Sequence, residues 1–171
     1  MEFTNLRAVL KDLADEIGSN YASQLGANGH DATFTLSRSA ADPSLHRVEV
    51  ESDGVVVTFD LPAYWKYVEN GTPPHWPPKA AIDKWIEVKP VIPRPGRDGR
   101  IPSPSQLSYL IRRKIATVGT TGTGDLKEAR DRTLPWWFDR ISAAILEDVQ
   151  AELGDVLLHT GGPRIIEGRL L

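Results

Sequence analysis

The chain has 171 residues, 40 % of them apolar and 25 % charged, with a formal net charge of −3. That composition fits one ordinary globular domain long enough for a real core, and bulk charge names no partner. There is no cysteine, which excludes disulfides, thiolate metal sites and cysteine nucleophiles, and no apolar run reaches the ~18 residues of a membrane span.

The first segment, Met1–Leu6, lacks the basic flank and apolar stretch of a signal peptide, so the expected location is a cytoplasm. An amphipathic helix follows. Leu6, Val9, Leu10, Leu13, Ile17 and Tyr21 recur at helical spacing, opposite Lys11, Asp12, Asp15 and Glu16. Thr4 or Asn5 is the expected cap, and Gly26, Asn28 and Gly29 are the expected stop. Three strand-like segments come next. Thr33–Ser37 reads as a short strand. His46–Glu51 alternates apolar and polar, and Val55–Phe59 returns after Ser52-Asp53-Gly54, a hairpin turn sequence.

Pro62 opens a short helix that Gly71 closes. Residues 73–104 hold 9 of the 13 prolines. Pro78 starts a helix over Lys79–Glu87 with Ile82, Trp85 and Ile86 as its stripe. Pro90 to Pro102 reads as an irregular arm, stiffened by proline and turned by glycine. Ser103, Pro104 and Gln106 spell the start of a helix with a capping box. Its buried face is Leu107, Leu110, Ile111 and Ile115, and Gly119 ends it. Asp125 caps a brief helix over Leu126–Arg132. Pro135 starts or kinks the last long helix, whose inner stripe is Phe138, Ile141, Ile145, Val149, Leu153 and Val156, extended by Trp137. The predicted fold is α+β. A small antiparallel sheet (hairpin 46–59 plus the short strand 33–37) is packed by N-terminal, middle and long C-terminal helices. The domain covers 1–160 with an arm at 88–103, and residues 161–171 form a tail.

Motifs for bond-making chemistry are missing. His30, His46, His75 and His159 show no metal-ligand spacing and read as surface or structural. Gly119–Gly124 resembles a phosphate cradle only faintly, since it lacks the P-loop lysine and follows no strand; a helix stop and turn suits it better. No Gly-x-Ser-x-Gly elbow or tuned carboxylate pair is present. Glu69, after three aromatics, reads as an acceptor for a backbone or arginine contact. No catalytic residue, cofactor or metal is expected, and an enzyme is disfavoured.

Charge is unevenly placed. Residues 1–70 carry 5 basic and 11 acidic side chains, a balance of −6, and residues 89–116 carry 7 and 1, a balance of +6. Such polarity suits head-to-tail stacking or an acidic partner. Five tryptophans are many for this length. Tryptophan favours interfaces because it buries a large area at low entropy cost. The candidate subunit-contact residues are Trp65, Trp76, Pro93, Arg94, Pro95, Arg97, Arg100, Trp136 and the apolar terminal set Ile165, Ile166, Leu170 and Leu171.

The string Pro62-Ala63-Tyr64-Trp65-Lys66-Tyr67-Val68-Glu69-Asn70-Gly71-Thr72 resembles a motif of tailed-bacteriophage neck proteins, Tyr-x-x-Tyr-Val-Glu-x-Gly-Thr. The likeness continues through Ile82–Ile86, Leu107–Ile115 and Gly119–Gly124, covering about residues 1–150. The chain departs from it at Leu107–Leu110, where alanines are commoner, and in its longer arm. The family this resemblance implies is the head–tail joining and tail-completion group, including proteins similar to minor tail protein Z of lambda-like phages. The resemblance implies an α+β virion subunit forming a ring, hexameric or dodecameric, between connector and tail tube, with no catalysis and no cofactor. It implies that Tyr64, Tyr67, Val68, Glu69, Gly71 and Thr72 hold a helix against a sheet. Expected partners are other copies and other neck and tail proteins, with no membrane. Other parts of the same neck remain alternatives: a tail terminator, a head-completion stopper or a minor tail protein. A further alternative is a DNA-binding module using Arg94, Arg97, Arg100, Arg112, Arg113 and Lys114, and these residues could equally face genomic DNA in the channel.

Overall fold

The computed structural model describes residues 3–31, 33–51, 54–89, 91–96 and 99–159. The fold is α+β and mostly helical. Its organising element is helix α1, Thr4–Ala27, which buries Leu6, Leu10, Leu13, Ala14, Ile17, Gly18, Tyr21 and Leu25. These positions recur every three or four residues, so one stripe runs the length of the helix.

Two apolar clusters lie along that stripe. The first joins Leu6, Leu10, Leu13 and Ile17 to Trp137, with Val48, Val50, Phe59 and Ile141 packed around them. The second joins Tyr21 and Leu25 to Leu36, Ala40 and Ala129, with Trp65 and Val68 against it. Burying a large aliphatic or aromatic side chain contributes about 1.5–3 kcal/mol, so these clusters supply most of the apolar stabilisation.

The hairpin forms as expected. Strand β1, His46–Val50, pairs antiparallel with β2, Val55–Phe59, in the register Val48↔Val57 and Val50↔Val55. Val48, Val50 and Phe59 point at α1 while Arg47, Glu49 and Thr58 face outward, the alternation of a sheet with one wet face. Ser52 and Asp53 of the expected turn lie outside the described residues. His46 is buried, its Nδ1 2.7 Å from the Asp15 carboxylate and its Nε2 3.0 Å from the Ala40 carbonyl.

The expected third strand at 33–37 is instead helix α2, Thr35–Ala41. Phe34 takes a left-handed conformation, φ 56°, which turns the chain out of an extended path. The Asp31 carboxylate then accepts the Ser37 N–H at 2.7 Å in the first helical turn. Leu36 and Ala40, four residues apart, lie buried against α1, so tertiary burial at helical spacing prevailed over a short strand-like composition.

Helix α3, Trp65–Asn70, starts after a turn in which Pro62 accepts the Trp65 N–H. Strand β3, Gly71–Thr72, follows it. Helix α4, Lys79–Val88, and helix α5, Pro104–Val118, pack on one another. Pro78 stands immediately before α4 rather than inside it. The capping box of α5 is present: Gln106 Oε1 accepts the Ser103 N–H at 2.9 Å, and Ser103 Oγ accepts the Gln106 N–H at 3.4 Å.

The expected buried face of α5 is not buried. Ser108 is its one buried residue; Leu107, Ile111 and Ile115 are half-buried and Leu110 is exposed. No residue of α4 is buried. The amphipathic pattern is real, but the body of the molecule covers little of it.

Between these helices the arm, described over 91–96 and 99–103, has no regular structure. Its tip doubles back where Gly96 N–H meets the Arg100 carbonyl at 2.8 Å. Strand β4, Thr120–Thr121, pairs with β3. Helix α6, Asp125–Thr133, leads through a 3₁₀ turn, Leu134–Trp137, into α7, Phe138–His159. Pro135 sits in that turn and separates the two helices.

Only part of the expected α7 stripe is covered. Trp137, Ala144 and Asp148 are buried and Ile141 packs on the first cluster, whereas Phe138, Ile145, Leu153 and Val156 are exposed. Helix α7 runs antiparallel to α1. Trp137 Nε1 donates to Glu16 at 3.0 Å, Arg140 meets Asp12 at 3.6 Å, and Asp148 meets Asn5 and Leu6. The tail 161–171 lies outside the described residues.

Candidate functional site

Residues 68–72 and 119–127 form a joint. Two short strands, Gly71–Thr72 and Thr120–Thr121, the second directly after Gly119, pair as a two-residue antiparallel sheet, with Thr72 and Thr120 hydroxyls 2.9 Å apart. The backbones are so close that a Cβ on Gly71 would strike the Thr120 carbonyl, and one on Gly119 the Thr72 carbonyl. Both glycines also have φ near 75° (74° and 75°), where a side chain is strained. Gly119–Gly124 is therefore a backbone crossing as well as a helix stop. Its Thr123 and Gly124 N–H groups are taken by the Val68 and Glu69 carbonyls, which leaves them unfit to cradle a phosphate.

Glu69 completes the joint. Its carboxylate accepts the Leu126 and Lys127 N–H groups, each at 3.0 Å. These are first-turn donors of α6 that have no partner inside the helix, and the carboxylate also meets the positive end of the helix dipole. Glu69 is thus a backbone acceptor, as expected, and the backbone is that of a helix 57 residues away.

The same device recurs at α1. Neither Thr4 nor Asn5 caps that helix; its cap position is Phe3, with no side-chain bond. The Asp148 carboxylate of α7 instead accepts the Asn5 and Leu6 N–H groups at 3.0 and 2.9 Å. Burial works to raise its pKa, but the backbone donors of Leu6 and Asn5 outweigh burial and hold it below the ordinary aspartate value.

Asp125, expected to cap α6, does other work. It is buried, bonded to Asn28 at 2.8 Å and to the His30 ring at 2.6 Å. Desolvation would raise its pKa, yet hydrogen bonds from His30, Asn28 and Thr123 lower it. Asp15 behaves alike: burial is outweighed by Lys11 and His46. Burial pushes the Tyr21 phenol well above its ordinary value, helped by the charges of Glu69, Asp125 and Asp31. His30 and His46 are therefore structural partners of carboxylates. Among the described residues no cluster of three or more His, Asp or Glu could hold a metal ion, and no helix is long and apolar enough to cross a membrane.

On the outer side of the joint lies an apolar groove of about 810 Å³. Tyr64, Tyr67 and Val68 of the motif form one wall, and Pro77, Ile82 and Ile115 form much of the rest. Tyr67 is 63 % exposed, so the motif tyrosines present themselves at the surface. Beside the groove Trp76 packs edge-on to Tyr109, ring centroids 6.1 Å apart, and the Arg112 guanidinium lies 4.8 Å from the Trp76 ring. Arg112 Nε also donates to the Pro77 carbonyl at 2.9 Å.

The candidate contact residues divide. Trp76 and Trp136 are exposed, Trp136 at 83 %. Trp65 is half-buried against the second cluster, so its indole belongs to the core side. Arg94, Pro95 and Arg100 are exposed on the arm and Pro93 is half-buried. Arg94 and Arg100 share a second groove of about 590 Å³ with Tyr109 and Leu110 of α5. Of the basic set, Arg113 and Lys114 are exposed, and Arg112 is engaged as described. Arg97, Ile165, Ile166, Leu170 and Leu171 lie outside the described residues.

Two features escaped the sequence reading: the Tyr64–Ile115 groove and the Asp148 cap. An acidic residue at Asp148, in helical register with Ile141 and Ala144, was the available signal for the cap. The groove is assembled from four separate segments and left no local signal. No family model, curated protein or solved structure matches the chain.

Proposed function

We propose that the protein is a structural subunit of a tailed-phage virion, a tail-completion or head–tail joining protein that assembles into a ring at the neck. The carrying observation is the α4–α5 hairpin: two amphipathic helices that bury Ser108 alone while Trp85, Tyr109 and Leu110 are exposed, as is Trp76 just before α4. Exposed aromatics that pack on each other, as Trp76 and Tyr109 do, are the kind of surface that marks a protein contact. The neck-like motif supports the same reading, because its tyrosines line the groove while its Glu and Gly-Thr form the joint beneath.

Function here is assembly. Each subunit contact is modest, and repetition around a ring converts modest contacts into a lasting structure. The arm, residues 90–102, acts as a docking element toward a neighbour in the neck. A tail terminator, stopper or minor tail role would use the same surface and differ only in the partner. A DNA-facing role is the weaker reading, because Arg112 is tied to Pro77 and Trp76.

Negative-stain imaging of the purified chain, alone and with phage particles, tests the proposal. Rings in isolation and density at the head–tail junction are expected. Particles assembled normally without this protein would refute it. Deleting residues 90–102 should leave a folded chain that no longer joins virions.

A further inference from the structure

The long C-terminal helix overshoots the body. Asp148 of α7 caps the first turn of α1, and α7 runs on to His159. At 1.5 Å per residue those last turns extend roughly 16 Å past the end of α1. Past Asp148 no described residue is buried. Leu146, Val149, Leu153 and Val156 stand at alternating spacings of three and four, the seam of a helix that packs on a partner. Leu157 adjoins that seam, and Leu153 and Leu157 are exposed at 56 % and 57 %.

The same chain carries a matching receptor. The Tyr64–Ile115 groove is apolar, and an amphipathic helix laid in an apolar groove is a recurrent mode of recognition. Charge agrees with this pairing. The projecting residues 149–159 contain Glu152 and Asp155 and no Lys or Arg. Lys66 and Lys114, both exposed, adjoin groove residues in sequence, whereas Lys79 is paired with Asp83 at 2.6 Å. Two α7 ends laid together would instead set carboxylates against carboxylates, which is unfavourable. Among the described residues neither surface is buried: α7 packs on α1 and the turn before it, whereas α4 and α5 pack on each other.

We infer that the projecting end of α7 in one copy seats in the Tyr64–Ile115 groove of the next copy. The contact is heterologous, helix to groove, and such contacts close into a ring when the rotation permits. This rests on the ring reading for its closure, but the contact itself does not depend on a phage neck.

Complementary variants of the full chain test it, read by light scattering after size exclusion and by native mass spectrometry. The wild type forms one closed oligomer. Leu153→Asp/Leu157→Asp spoils the helix, Tyr64→Asp/Tyr67→Asp spoils the groove, and each runs as a monomer. Mixed in equal amounts they form a 1:1 heterodimer and nothing larger, because one good helix meets one good groove. Should the groove variant lose its far-UV circular dichroism, Lys66→Glu/Lys114→Glu replaces it, touching exposed charges only, and weakens assembly at least tenfold. The inference is overturned if the wild type stays monomeric at its highest soluble concentration, if any of the three variants assembles like wild type, or if the mixture stays monomeric. Rings that persist in all variants would remove this contact and leave the neck proposal standing. A confirmed heterodimer from a protein missing from every virion would do the reverse.

Discussion

The body around α1 and the α4–α5 hairpin obey opposite rules. Helix α1 covers eight of its residues with α2, the hairpin sheet, α6 and α7. Helices α4 and α5 have equally clear apolar stripes and cover one residue between them. A stripe in a sequence states that a face wants covering and says nothing of whether the cover comes from the same chain. In the body the cover is internal. In the hairpin both stripes stay largely uncovered, and the Gly-Thr joint with its Glu69 cap ties the end of α5 to α3 and α6.

The sharpest break of this contrast is truncation inside the body. Leu13→Ala, in the first cluster, should cost about 3–4 kcal/mol in denaturant unfolding, the usual transfer plus cavity loss. Gly71→Ala strikes the joint. A Cβ there meets the Thr120 carbonyl in a left-handed conformation, and a loss of about 2–3 kcal/mol is expected. Hydrogen exchange should then rise in α5 before it rises in α1; uniform exchange would mean the joint does not hold the hairpin.

Glu69→Ala removes two donors' partner at α6 and should cost about 1–2 kcal/mol. Acidification has a smaller, graded effect. Asp15, Asp125 and Asp148 all titrate below their ordinary value. A depressed carboxyl contributes stability that is complete above the unfolded value, about 4, and fades as pH falls through the folded one. Thermal midpoints should therefore be flat with respect to these three above pH ~5 and decline below pH ~4. A rise in stability on acidification would contradict the hydrogen-bond assignments. The smallest change is Trp136→Ala: at 83 % exposure it should shift monomer stability by less than about 0.5 kcal/mol. If it costs more, the indole is covered in the body and is no interface residue.

Much of this was legible in local chemistry. The β1–β2 hairpin, the Ser103/Gln106 capping box and the glycine stop after α3 were each readable because donor, acceptor and turn lie within a few residues of one another. The strand expected at 33–37 failed because Leu36 and Ala40 answer to α1, more than ten residues away, and not to their neighbours. Glu69 was readable as a backbone acceptor, but not which backbone it would meet.

The sequence by itself determined which faces are apolar and where most helices lie, α2 and the caps of α1 and α6 excepted, since 3.6- and 2-residue periods are local quantities. Only the tertiary structure decided which of those faces are satisfied. Burial of the α1 stripe, exposure of α4, α5 and the end of α7, and the long-range caps from Glu69 and Asp148 depend on pairs of segments meeting in space. No local period encodes such a meeting, because each stripe is equally apolar whether a partner arrives or not.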